Sequence, residues 1–230
     1  MLYDDISGTK LEALRQLVVQ AQSDRGYPES CGELWGEVLE GWLRVHDCFS
    51  SGDRHYLTLR REPSQLAPIQ GRSREVLERV LLDEGQKVTS IELGLSISSV
   101  ACHSKRALYA IGMHSLPSKA PPLLHLLAWS HRYARKSCTV RFVRFELDGD
   151  CYISLSIPFP GPALACVLSP AEQAVVAMRL EGHSLAEIAG RRQTSTRTVA
   201  NQLSAAFRRL GLSGRAGLVR YVAQVPEYPI

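Results

Sequence analysis

The stretch from Leu168 to Val225 constrains the fold more than any other part of the chain, because it lays out four short helical segments at a spacing few architectures accommodate. Ser169, Pro170 and Glu172 make a helix start signal: a serine cap, proline at the first helical position and glutamate three residues after the serine. Val175, Val176 and Leu180 supply a buried stripe, and Gly182 stops it. Ser184 caps a second, very short helix that ends near Arg191 and carries Ala186, Ile188 and Ala189 inward. After a tight connection through Gln193, Thr194 and Ser195, the apolar positions Val199, Leu203, Phe207 and Leu210 recur at helical intervals. Thr196, Arg197, Ala200, Asn201 and Ser204 fall on the opposite side. Gly211 ends this helix, Ser213 caps the last one, and Leu218, Val219 and Val222 give that helix its own apolar stripe.

A short helix, a tight turn and a longer helix with a polar outer face form a helix-turn-helix, whose second helix enters the major groove of DNA. The stretch resembles the DNA-binding domain of LuxR/GerE-type regulators, also found at the C-terminus of NarL and FixJ response regulators. The resemblance covers about sixty residues and rests on LSPAE at Leu168 to Glu172, EIA at Glu187 to Ala189, TRTVAN at Thr196 to Asn201 and FRRLGL at Phe207 to Leu212. The chain departs from the family at Arg192-Gln193, where Leu-Gly is usual, and at Ala200 and Gln202, where lysine and histidine are usual. The fold is expected to survive both departures, and the usual DNA preference is put in doubt.

On this helix Arg197 and Asn201 are the candidates for base edges, since arginine pairs bidentately with guanine and asparagine with adenine. Thr196, Thr198, Ser204, Arg208 and Arg209 are suited to phosphates. Ser195 and Gln202 complete the expected DNA-contacting set.

Residues Ile69 to Met113 repeat the same order of events. At a constant offset of 99 residues and no gap, Val76 meets Val175, Leu81 meets Leu180, Ser96 meets Ser195, Val100 meets Val199 and Gly112 meets Gly211. SREVLERVL at Ser73 to Leu81 resembles the first helix of the same family and ELGLSISSV at Glu92 to Val100 its turn, with the Leu-Gly pair present as Leu93-Gly94. Thr89 and Ser104 stand where the family has apolar residues. Ser98, Ser99, Cys102, His103, Lys105 and Arg106 occupy the outward face, a surface weaker in hydrogen-bonding chemistry. Base reading there is balanced against a structural or partner-binding role.

Ahead of each helix-turn-helix the pattern reads as a helix and a hairpin. Thr9 to Gln22 is helical by periodicity, and from Leu34 the chain reads as extended, with Gly41 to Phe49 and His55 to Arg61 flanking the turn Ser50 to Asp53. After a linker at Pro117 to Pro122, Leu123 to Arg135 reads as a helix. Thr139 to Leu147 and Cys151 to Ile157 flank an Asp-Gly turn, a strong hairpin signal. His55 to Leu59 echoes Cys151 to Leu155. The chain therefore reads as an internal duplication: 1–68 a helix and hairpin, 69–122 a divergent helix-turn-helix, 123–167 a second helix and hairpin, 168–230 the C-terminal helix-turn-helix.

Composition decides between classes. With 45% apolar residues the chain can bury a core and is no disordered tail. Residues 1–68 carry 7 basic and 11 acidic side chains, and residues 168–230 carry 8 and 4, so positive charge gathers where phosphate neutralisation needs it. The six cysteines have no paired short spacing, which points to scattered buried thiols rather than a zinc ribbon or a disulfide framework. No apolar run reaches membrane-spanning length and no leader pattern is present, so a soluble, cytoplasmic protein is expected. A receiver domain needs strands ahead of its acidic residues, and none precedes Asp4, Asp5 or Asp53, although Lys105 is placed temptingly. The aromatic and aspartate pattern of an acyl-homoserine-lactone pocket is absent, and Trp35, Trp42 and Trp129 read as core. No metal-spaced histidine pair, phosphate loop or nucleophile elbow offers a catalytic constellation, so no enzyme, cofactor or metal is expected.

The sequence thus predicts an α+β, mainly helical fold of two similar modules, each a helix plus β-hairpin followed by a four-helix LuxR-like helix-turn-helix. The expected function is that of a bacterial sequence-specific DNA-binding transcriptional regulator, as an intramolecular pseudo-dimer on two half-sites. The alternative is a protein-interaction module in a regulatory complex with weak or indirect DNA contact. Expected partners are double-stranded DNA, RNA polymerase or a regulatory protein, and a second copy through the C-terminal helix unless that helix packs inside the chain. The sequence leaves open the DNA site, the sign of regulation and any effector.

Overall fold

Two β-hairpins distant in sequence join into one antiparallel sheet, and the helices are arranged around it. The computed structural model describes residues 8–21, 31–82, 84–114, 121–133, 140–158, 164 and 166–224. In chain order the elements are α1 (Gly8–Ala21), α2 (Cys31–Leu39), β1 (Leu43–Ser51), β2 (Arg54–Arg61), α3 (Gly71–Leu81), α4 (Gln86–Leu93), α5 (Ile97–Ala110), α6 (Pro122–Tyr133), β3 (Arg141–Leu147), β4 (Asp150–Pro158), α7 (Pro170–Leu180), α8 (Leu185–Arg191), α9 (Thr196–Leu210) and α10 (Gly214–Gln224). Asp4, Asp5, Cys138, Thr139 and residues 117–120 of the expected linker lie outside the described residues. Asp53 sits exposed in the β1–β2 turn.

The strand order is β1-β2-β4-β3, so the inner strands of the two hairpins pair with each other. Thr58 stands opposite Ser154 at the middle of that pairing, both fully buried, and the Thr58 hydroxyl donates to Ser154 Oγ at 3.5 Å. To either side Phe49 stacks on Tyr56, with centroids 4.8 Å apart, and Phe145 stacks on Tyr152 at 5.5 Å. Phe145 and Tyr152 stand as far along the chain from Phe49 and Tyr56 as Ser154 stands from Thr58.

Strand alternation separates two faces. Leu57, Leu59, Ile153, Leu155 and Ile157 point into the main core with the leucines of α6 and with Leu34, Trp35, Val38 and Leu39 of α2. Tyr56, Thr58, Tyr152, Ser154 and Ser156 point the other way and are also buried. Over that face lies α1, inserting Leu14 and Val18, with Arg15 paired to Asp47 of β1 at 2.8 Å and Lys10 to Asp148 of the β3–β4 turn at 2.7 Å. Burial on both faces accounts for the unbroken buried runs of β2 and β4.

The segment from Leu34, expected to be extended, is helical through Leu39. Its buried residues Cys31, Leu34, Trp35, Val38 and Leu39 follow helical spacing, and the strand begins only at Leu43, beyond Gly41. Helix α2 packs closely on α6: the Gly32 carbonyl accepts from His131 Nδ1 at 2.9 Å, and a Cβ on Gly32 would stand 3.3 Å from His131 Cα. Pro122 opens α6, and His125 Nδ1 donates to the Leu81 carbonyl at the end of α3 at 2.7 Å. The expectation of buried thiols is corrected for three cysteines: Cys48, Cys102 and Cys166 are exposed, Cys102 because it falls on the outer face of α5.

The two helical units are fixed to the sheet by different contacts. The upstream unit docks by the end of α5, where the Val45 N–H of β1 donates to the Ile111 carbonyl at 2.8 Å, next to a register shift between Val45 and Asp47. Gly112 makes this approach possible, since its φ is +89° and a Cβ would lie 2.4 Å from the Val45 oxygen. The downstream unit docks through α10, whose Leu218, Val219 and Val222 are buried in the main core. The apolar stripe of the C-terminal helix, offered above as a dimer contact, is thus used inside the chain.

Gly112→Ala is expected to cost on the order of 1–3 kcal/mol, read by urea unfolding, because both the backbone angle and the Val45 contact reject a side chain. His55, with Ser50 Oγ 2.7 Å from its Nδ1, has its basicity lowered from 6.5 to about 4, by burial first and then by Arg215. Its proton is therefore bound more readily by the unfolded chain, and stability is full above pH 6.5 and falls as the pH is lowered toward 4. Unfolding titrations should show that loss in the native chain and a flatter profile in His55→Gln.

Candidate nucleic-acid interface

The helices α7 to α9 are built with strong local signals. Ser169 accepts from the Glu172 N–H while the Glu172 carboxylate accepts from the Ser169 N–H at 2.8 Å, a complete capping box at the start of α7. Ser184 and Glu187 make a second one at the start of α8. At the start of α9 the Ser195 hydroxyl accepts from the Thr198 N–H at 3.0 Å. Between α8 and α9 the chain turns through Gln193 in the left-handed region, φ 51°. Gly94, at φ 63°, turns the upstream unit at the corresponding place. The residue where the family resemblance failed thus adopts the conformation that glycine would supply, at a local steric cost.

Helix α9 buries Val199, Leu203 and Ala206 and leaves Phe207 and Leu210 half-buried at the edge of the core. Ser195, Thr196, Arg197, Thr198, Asn201, Ser204 and Arg208 are exposed, so the expected contact residues are presented outward from one helix and its cap. Gln202 is half-buried, and its Oε1 has no hydrogen-bond partner among the described residues. Ala186, expected inward, is exposed, because the short α8 buries only Ile188 and Ala189.

Several cations of this unit serve the fold. Arg209 reaches Glu172 Oε2 at 2.6 Å, tying the end of α9 to the start of α7, although it stays half exposed. The Ser169 backbone N–H, then its hydroxyl, and Arg209 hold the Glu172 carboxyl below its ordinary range. Arg192, in the place of a family leucine, donates to the Ala171 carbonyl at 2.6 Å. Arg215 donates to the Arg179 and Leu180 carbonyls, capping the C-terminus of α7. Arg197 and Arg208 remain on the open face, and Arg191, exposed at the end of α8, adds a cation that the motif did not indicate. Only its position beside the turn could have flagged it.

The upstream unit has the same three-helix order and a different surface. Ser98, Lys105 and Arg106 are exposed on α5. Ser99 is half-buried, its hydroxyl 2.8 Å from that of Ser96, and His103 is half-buried with Nδ1 3.0 Å from Ser73 Oγ. Val76, Val80 and Val100 form its small core with Leu93 and Leu95 against it. Thr89 and Ser104 are buried where the family resemblance expects apolar residues, and neither hydroxyl has a hydrogen-bond partner among the described residues. Such groups carry a desolvation cost that an apolar replacement removes. Thr89→Val is accordingly expected to raise stability by roughly 1 kcal/mol, measured by denaturant unfolding.

Among the described residues no cluster of ligating side chains fits a metal ion, and no helix is long and apolar enough to cross a membrane. Residues 163–210, which include α7, α8 and α9, match the family described as Sigma-70, region 4. This is a DNA-binding helix-turn-helix domain related to the LuxR/GerE type, with a transcription-related role. No curated protein and no solved structure matches the chain.

Proposed function

We propose that the chain is a sequence-specific DNA-binding transcriptional regulator that reads the major groove with α9. The observation that carries this is the open face of α9, where Thr196, Arg197, Asn201, Ser204 and Arg208 are exposed while Val199, Leu203 and Ala206 hold the helix from behind. Arg197 and Asn201, near the helix start, suit base edges. Thr196, Thr198, Ser204 and Arg208 suit phosphates, and Arg209 positions the helix through Glu172.

The finer form of this reading is an intramolecular pseudo-dimer, with α5 as a second reader on another half-site. In its favour is the pairing of the two hairpins about Thr58 and Ser154, the kind of self-matching contact a symmetric dimer uses. A second reading, that the upstream unit is a protein-interaction surface, has its own observation. Ile97, Ser98 and Cys102 are exposed on α5 at the positions that Thr196, Arg197 and Asn201 take on α9, so a hydroxyl, a guanidinium and an amide give way to an aliphatic side chain, a hydroxyl and a thiol. RNA polymerase or a regulatory protein is the class of partner such a surface would serve.

Selection of bound DNA fragments followed by footprinting, with stoichiometry by mass, tests these readings together. Arg197→Ala and Asn201→Ala are each expected to lose about 1–3 kcal/mol of discrimination at one base position. Arg208→Ala should weaken binding to all sequences and make the salt dependence shallower. DNA binding indifferent to all three substitutions would exclude α9 as the reader. Two half-sites protected by one chain favour the pseudo-dimer, and one half-site per chain favours the partner surface.

A further inference from the structure

The upstream unit wears its side chains inside out along α4. Val88 and Ile91 are 50% and 72% exposed, one helical turn apart, and Ile97 at the head of α5 is 52% exposed. Thr89 and Ser90, between them in sequence, are buried. The Ser90 hydroxyl donates to the Lys87 carbonyl at 3.1 Å, while that of Thr89 has no partner among the described residues. A lone domain gains nothing from aliphatic groups in water, and a covered face gains from both the burial and the specificity.

We propose that this face binds a second copy of the chain through an antiparallel contact of α4 with α4, leaving both α9 helices free for DNA. The proposal rests on the reading of α9 as the DNA helix and of the upstream unit as a partner surface. Charge selects the occupant. Lys87 is exposed in the first turn of α4 and Glu92 is exposed in its last turn, with Val88 and Ile91 between them. Two such helices placed antiparallel about a two-fold axis set each Lys87 beside the Glu92 of the other copy and bring the aliphatic residues together at the centre. A patch that is its own complement is what an isologous dimer requires. Glu92 also meets Arg79, which in turn holds Glu84 at 2.9 Å, so its carboxylate is anchored yet about half exposed. DNA is a poor occupant, because the aliphatic groups offer phosphate no donor and Glu92 repels it.

Sedimentation equilibrium of the full chain without DNA tests the contact. The native chain should dimerise, and Ile91→Glu should weaken dimerisation at least about tenfold. Lys87→Glu and Glu92→Lys should each weaken it when alone, and a mixture of the two variants should dimerise again, since only the mixed pair sets opposite charges face to face at both ends. Circular dichroism melting of each variant shows whether its fold is retained. A native chain that stays monomeric, a dimer indifferent to Ile91→Glu, or a mixture no better than its components would overturn the proposal. Arg197→Ala separates the two readings: loss of base discrimination with dimerisation intact is expected. Unchanged discrimination in that variant sinks the reading of Arg197 as a base contact and leaves the dimer contact standing.

Discussion

The antiparallel pairing of β2 with β4 is the interaction on which the rest of the structure depends. It joins strands about a hundred residues apart, and each alone would be the edge of a two-stranded hairpin, which is marginal in water. Once paired, the four strands offer one apolar face broad enough to seat both α2 and α6, and those helices in turn give α3, α5 and α10 their docking surface. Buried hydroxyls at the centre suit this role. The Thr58 hydroxyl donates to Ser154 across the seam, a polar contact that favours one register of one hairpin on the other.

The helix-turn-helix residues and the hairpins were legible in the sequence because their signals are local. Ser169 with Glu172, Ser184 with Glu187, and the Asp148-Gly149 turn act within a few residues of themselves. What escaped was long-range. Helix α2 reads as extended because Trp35, Val38 and Leu39 also suit a strand, and only packing on α6 decides for the helix. That the hairpins share one sheet depends on partners far apart, which alternation alone does not reveal. Arg192, Arg209 and Arg215 count as positive charge in sequence, yet each is held by a carbonyl or carboxylate of α7. Gln193 looked like a break in the family pattern and instead adopts the backbone angle the pattern requires.

The two helical units show how one local architecture can be turned to different ends. Both have a serine-capped outer helix after a left-handed turn, and both set a valine, Val100 or Val199, fully buried on the inner side of that helix. Their outer faces diverge, and so do their anchors. Both send side chains into the main core, Leu77, Leu81 and Leu108 from the upstream unit and those of α10 from the downstream one, and the upstream unit adds the main-chain contact at Gly112. A main-chain contact with no room for a methyl group tolerates little rocking.

Helix α1 braces the sheet across the hairpin seam, and its first turn and its middle are held with unequal strength. The Lys10–Asp148 pair is about half exposed on both sides, while Asp47 beneath Arg15 is largely covered and Arg15 also lies over the Phe49 ring. Dissolved ions screen the open pair far more than the covered one. Rising ionic strength therefore loosens the Lys10 contact before the Arg15 contact, which stays covered between the buried Leu14 and Val18.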